Sequence, residues 1–98
     1  MLIRIVRMTF DANKVDKFLA VFEESKLKIR TMKGCTHLEL MQDYSLPNSF
    51  STYSYWDCEA DLNKYRNSAV FKDVWSRTKV LFSDKPIAFS LKQHTVVN

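Results

Sequence analysis

FSTYSYWDCEADLNKYRNSAVF, residues 50–71, is the stretch whose reading decides the fold of this chain. Up to Trp56 it alternates. Ser51, Tyr53 and Tyr55 fall on one side and Thr52, Ser54 and Trp56 on the other, the period of two that marks a strand. At Trp56-Asp57 the spacing becomes helical, with Asp57 placed to cap the helix and Leu62, Tyr65 and Arg66 on one side of it. The pattern breaks at Arg66-Asn67-Ser68. It then restarts as a second helical face of Phe71, Val74, Trp75, Thr78 and Phe82, which Asp84-Lys85-Pro86 ends. Trp56, Tyr65, Phe71 and Trp75 thereby come within reach of one another. Such a cluster is either a core or a pocket for a flat aromatic molecule.

Working outward, Leu2 to Phe10 is rich in Ile, Val, Met and Phe and reads as a strand largely covered on both faces. Asp11 or Asn13 offers an N-cap. Val15, Phe18, Leu19, Phe22, Ile29 and Met32 then follow helical spacing, closed by cationic Lys33 and by Gly34. Cys35 to Asp43 is a second strand, with Leu38 and Leu40 on one face and His37, Glu39 and Met41 on the other. Tyr44 to Ser49 has the length of a hairpin loop. Ile87 to Val97 is the last strand, long enough at Leu91 to Val97 to cross to a partner. The order βαββαβ predicts an α+β, ferredoxin-like fold: one antiparallel sheet with two helices on one face. The other face also carries apolar side chains and nothing in the chain remains to cover it. A second copy is the economical cover, so a homodimer is expected.

Ninety-eight residues with 46% hydrophobic and 13% aromatic content predict one folded domain, 1–98, with one glycine and two prolines leaving little room for linkers. The net charge is +4, with a local excess at Lys26, Lys28, Arg30 and Lys33 that reads as a solvated helix end. Nucleic-acid recognition on this strand order requires a basic-Gly-aromatic run, which Lys33-Gly34-Cys35-Thr36 does not supply, so no nucleic-acid partner is expected. Cys35 and Cys58 have no metal or redox spacing and read as free thiols of a reducing, cytoplasmic compartment. Arg4 and Arg7 interrupt the apolar N-terminus, which argues against a membrane span or a signal-peptide core.

His37 and His94 have no acidic or thiol residues at ligand spacing, so no metal site is expected. His37 is the only ordinary base near neutral pH among the candidates. The competing reading is a satisfied or solvent-facing strand histidine. Tyr65 is a phenol on an inward helix face that needs a hydrogen-bond partner. Trp56 reads first as core. Trp75 either plugs a pocket or walls it. Arg66 is expected to pair with Asp61 or Asp73, the alternative being an acidic substrate. Ser54 lacks the context of a nucleophile.

The opening strand, the helix ended by Lys33-Gly34-Cys35, the strand ending in Gln42-Asp43, the Pro47 hairpin and the run Trp56-x-x-Glu59-x-x-Leu62-x-x-Tyr65-x-x-Ser68-x-x-Phe71 together resemble the antibiotic biosynthesis monooxygenase (ABM) family of the dimeric α/β-barrel superfamily. The resemblance implies a homodimer with a pocket between sheet and helices in each subunit. It also implies oxidation of phenols or quinols by O₂ without metal or flavin, or else heme degradation. The chain departs from the pattern. Ser54 stands where many members keep a Glu, and Tyr65 and Val70 where many keep a His. The heme-degrading branch uses an Asn, a Trp and a His where this chain has Val6, Tyr65 and Trp75, so that activity is not expected.

Two functions remain. One is a cofactor-independent monooxygenase of a small aromatic or quinol-like compound, with His37 and Tyr65 as catalytic candidates and Trp56, Tyr65, Phe71 and Trp75 as pocket. The other is a non-catalytic dimer that binds a small ligand or a partner.

Overall fold

The computed structural model covers residues 1–98. The strands are β1 (Leu2–Thr9), β2 (Cys35–Gln42), β3 (Ser49–Trp56) and β4 (Ile87–Leu91); the helices are α1 (Val15–Arg30), α2 (Glu59–Arg66) and α3 (Ala69–Lys79). All strand pairs are antiparallel, in the order β2-β3-β1-β4. This is the expected α+β, ferredoxin-like arrangement, with the second helix broken into α2 and α3. The break has a local cause: Ser68 caps α3 by accepting from the Phe71 backbone N–H at 3.1 Å. None of the helices is long and apolar enough to cross a membrane.

The alternation read from the sequence holds in the register. Leu2, Arg4, Val6 and Met8 of β1 stand beside Trp56, Ser54, Thr52 and Phe50 of β3, and these face the helices. Ile3, Ile5 and Arg7 share the opposite face with Tyr55, Tyr53 and Ser51, and across β2 with His37, Glu39 and Met41.

Buried apolar residues gather at the two ends of the sheet–helix layer. At one end are Met8, Phe10, Phe18, Phe50 and Leu81; at the other are Cys35, Trp56 and Leu62. Phe10 and Phe18 stack with ring centroids 4.2 Å apart. Gly34 secures the second end. Its φ of +85° suits glycine, and a Cβ there would collide with the Asp61 side chain.

Four local expectations are corrected. Neither Asp11 nor Asn13 caps α1. A 3₁₀ turn over Ala12–Lys14 leads into the helix, and the Asp11 carboxylate pairs with Lys14 at 3.4 Å instead. Asp57 does not cap α2: Cys58 is the N-cap residue, and Asp57 spends its backbone N–H on the Gly34 carbonyl. Phe82 does not extend α3, which ends at Lys79; a tight turn there lets Phe82 bridge to Phe10. The last strand stops at Leu91, not Val97. Leu91 already pairs with Ile3, and β1 starts at Leu2, so little of the neighbouring strand is left to pair with.

Candidate functional site

Between the two cores the layers do not close. The β3 sequence explains this: its inward side chains are Phe50, Thr52, Ser54 and Trp56, bulky at the ends and small in the middle. The helices do not make up the difference. Helix α1 packs on β2 and against α3, while β4 lies at the edge with all five residues exposed. The result is a cavity of about 350 Å³, within the size range of small-molecule sites. Its floor is Arg4, Val6, Thr52 and Ser54 of the sheet; its roof includes Tyr65 and Arg66 of α2 and Phe71, Val74 and Trp75 of α3.

An unbroken run of rings connects the two cores along this roof. Trp56 stacks on Tyr65 at 5.1 Å, Tyr65 meets Phe71 edge to face at 5.2 Å, and Phe71 stacks on Trp75 at 5.9 Å. Trp75 in turn meets Phe82 edge to face at 5.5 Å. Helical spacing produces this row, because Phe71 and Trp75 are four residues apart and lie on one face.

Of the four rings expected to form a pocket, Tyr65, Phe71 and Trp75 line the cavity. Trp75 is a wall of it and does not fill it. Trp56 is set behind Tyr65, fully buried with Cys35 and Leu62, its indole N–H donating to Ser54 Oγ at 3.0 Å.

His37 is separated from these residues by the sheet. Its ring lies on the opposite face beside Tyr55, with Nε2 3.1 Å from the Glu39 carboxylate. It therefore supplies no base to the cavity within its own subunit. The reason is the strand period: Leu38 points into the cavity, so its neighbour His37 points away. His94 lies in the exposed segment after β4, beside Thr95.

Burial pushes the Tyr65 phenol well above the usual tyrosine range, and proximity to Cys35 adds to the shift. Tyr65 is therefore a neutral hydrogen-bond donor at physiological pH and not a base. The lining contains neither imidazole nor carboxylate.

The two arginines of the cavity depart from the sequence expectation. Arg66 pairs with neither Asp61 nor Asp73. Asp61 is turned toward Gly34 and accepts from the Cys58 thiol, and Asp73 pairs with Arg77 at 3.4 Å. Arg4, an interruption of the apolar run in the sequence, is a cavity residue. The available signal was its parity: an even-numbered β1 residue belongs with Val6 and Met8.

The ABM family model, described as antibiotic biosynthesis monooxygenase, matches residues 1–76. The chain belongs to this family. Solved structures agree on the fold. One is named as an antibiotic biosynthesis monooxygenase; it is 18% identical, with a TM-score of 0.91 over 97% of this chain and 100% of that one. A conserved protein of Methanosarcina mazei is 17% identical, with a TM-score of 0.90 over 96% of this chain and 94% of its own. Rv0793 of Mycobacterium tuberculosis is 12% identical, with a TM-score of 0.89 over 99% of this chain and 98% of its own. No curated protein matches the sequence. The ABM match ends within α3, yet Pro86 and Ala88 beyond it also line the cavity.

Proposed function

We propose that this ABM-family chain is a cofactor-independent monooxygenase of a small aromatic or quinol-like compound, and that residues 1–98 act as one ABM-like domain. The observation that carries this reading is the apolar cavity of about 350 Å³ walled by Tyr65, Phe71 and Trp75. Flat walls orient a flat ring, and exclusion of bulk water protects a reactive intermediate. In the reaction, an ionised phenol or enol passes an electron to O₂. One oxygen atom enters the ring carbon and the other leaves as water with the substrate's two hydrogens. Tyr65 donates a hydrogen bond to the oxygen on which charge develops. With no base in the lining, the first proton goes to water.

The reading is tested by oxygen uptake with a panel of hydroquinones. Uptake that falls in Tyr65→Phe and Trp75→Ala supports it. Uptake no greater than that of heat-inactivated protein refutes it. A second reading, a ligand-binding domain without catalysis, is favoured by the absence of imidazole and carboxylate from the lining. It survives if the same compounds bind but no oxygen is consumed.

The chain is proposed to act as a homodimer. Ile87, Phe89 and Leu91 are exposed on the sheet face away from the helices, continuous with Ile5, Tyr53 and Tyr55. A monomeric mass in solution would remove this assignment. A cytoplasmic location is proposed from Cys35 and Cys58, neither of which is in a disulfide.

A further inference from the structure

The apolar cavity has two arginines in its lining without a counter-charge. Arg4 lies in the middle of β1 and Arg66 at the end of α2, far apart in sequence, and both line the same space. Partial burial, and after it the nearby Arg66, draws the Arg4 guanidinium below its ordinary pKa. Neither has an acid partner. The salt bridges of this chain involve Arg7, Lys14, Lys26, His37 and Arg77, not Arg4 or Arg66. Arg4 has a single neutral partner, donating from Nη1 to Ser90 Oγ at 3.1 Å across the β1–β4 pair. On its other side, in register, stands Ser54, whose hydroxyl accepts from Trp56.

Arginine presents several N–H donors in a planar fork suited to a carboxylate. Two such forks in the lining of an aromatic slot, with all carboxylates elsewhere, lack a charge partner when empty and gain one when an anion is bound. A neutral hydroquinone would leave both forks unmatched.

Resting on the proposed use of this cavity, we infer that its natural ligand is an aromatic acid: a flat ring system between Tyr65, Phe71 and Trp75 whose carboxylate, or an equivalent fixed anion, is held by Arg4 and Arg66. Position 54 is the specificity switch. An acidic residue there would lie directly across from Arg4 and supply the charge that the ligand otherwise brings, so serine at this position selects for an anionic ligand.

The inference is tested by binding alone, without turnover, so that its failure is separate from a failure to consume oxygen. Naphthoate and its uncharged isostere naphthamide are titrated into the protein under argon, read by quenching of tryptophan fluorescence. Naphthoate should bind about tenfold or more tightly than naphthamide, the discrimination expected of charge-assisted hydrogen bonds. Arg66→Gln, on an exposed helix end, should weaken naphthoate more than naphthamide and so remove most of that preference, while Arg66→Lys should restore part of it. Ser54→Glu, with both arginines intact, should abolish or invert the preference. Equal affinity for the two compounds in the wild type overturns the inference, as does binding of neither. So does an acid preference that persists in both Arg66→Gln and Arg4→Gln. Oxygen uptake has no bearing on any of these outcomes.

Discussion

The two ends of the sheet–helix layer use the same kind of residue for different purposes. At the Phe10 end, aromatic rings are piled around a common centre: Phe10 touches Phe18, Phe50 and Phe82, and Phe18 touches Phe50 and Phe22. Toward the Trp56 end, the rings are strung in a line, each touching the next along α2 and α3. The pile centres on fully buried Phe10 and serves stability, with Phe18 and Phe22 at its margin also bordering the cavity. In the line, Tyr65, Phe71 and Trp75 each leave one flank to the cavity wall, with Trp56 buried behind them. Aromatic content alone therefore says little about function; what matters is whether the facing strand supplies bulk, as Phe50 does, or small side chains, as Thr52 and Ser54 do.

The largest test of this contrast is Phe10→Ala. Phe10 is fully buried among rings on several sides. Its truncation should cost about 3–5 kcal/mol, read from urea unfolding, and a cost below half of that would mean the pile is not a tightly packed core. Next comes Gly34→Ala at the other end. It combines a left-handed backbone conformation, which costs about 1–3 kcal/mol for a residue with a Cβ, with displacement of Asp61. The same unfolding measurement checks it, and no loss would show that the β2–α2 contact is slack.

A smaller stability effect is expected of Trp75→Ala, despite the larger side chain removed. Trp75 is half-buried and already borders open space, so mainly the area term is lost, about 1–2 kcal/mol. Ligand binding, followed by calorimetry with naphthoate, should be lost in this variant and retained in Phe10→Ala under conditions where the latter is folded. A destabilisation equal to that of Phe10→Ala would erase the distinction between pile and line.

The smallest effect concerns the hairpin beside the Phe10 end. The Asp43 carboxylate accepts from the backbone N–H groups of Leu46 and Ser45 and pairs with Arg7 at 3.1 Å, which holds its pKa below the usual carboxylate value. A lowered folded-state pKa means that the stabilisation is complete above the unfolded value of about 3.9 and is lost as the pH falls through the lower folded value. Asp43→Asn should therefore lower stability at neutral pH and flatten its acid dependence over that window. Unfolding midpoints measured along a pH series check this, and parallel curves for the two proteins would refute it.

The sequence was informative wherever a local period sufficed. Alternation over residues 50–56 put Tyr53 and Tyr55 on one face and Ser54 and Trp56 on the other, and the register agrees. Helical spacing gathered Leu62, Tyr65, Arg66, Phe71, Val74, Trp75, Thr78 and Phe82, and all but Phe82 line the cavity. Local reasoning failed where competing partners were involved. Arg66 had acids at plausible spacing, but Asp61 was taken by the Gly34 approach and Asp73 by Arg77. Trp56 was grouped with the pocket rings, yet Tyr65 stacks over it and screens it from the cavity. The last strand looked longer than it is because pairing, not propensity, sets a strand's end, and β1 begins at Leu2.

By itself, then, the sequence determined the order of elements, the face on which each inward residue lies and membership in the ABM family. These depend on backbone periods that repeat every two or 3.6 residues and survive without knowledge of neighbours. Only the tertiary structure decided that the layers leave a space between two cores, that His37 is on the far side of the sheet from it, and that Arg4 and Arg66 both line it. A cavity is a difference between the volumes that two facing layers supply. A pair of like charges is a coincidence of position between a strand and a helix. Neither quantity is written in any one segment, because each exists only after the segments have packed.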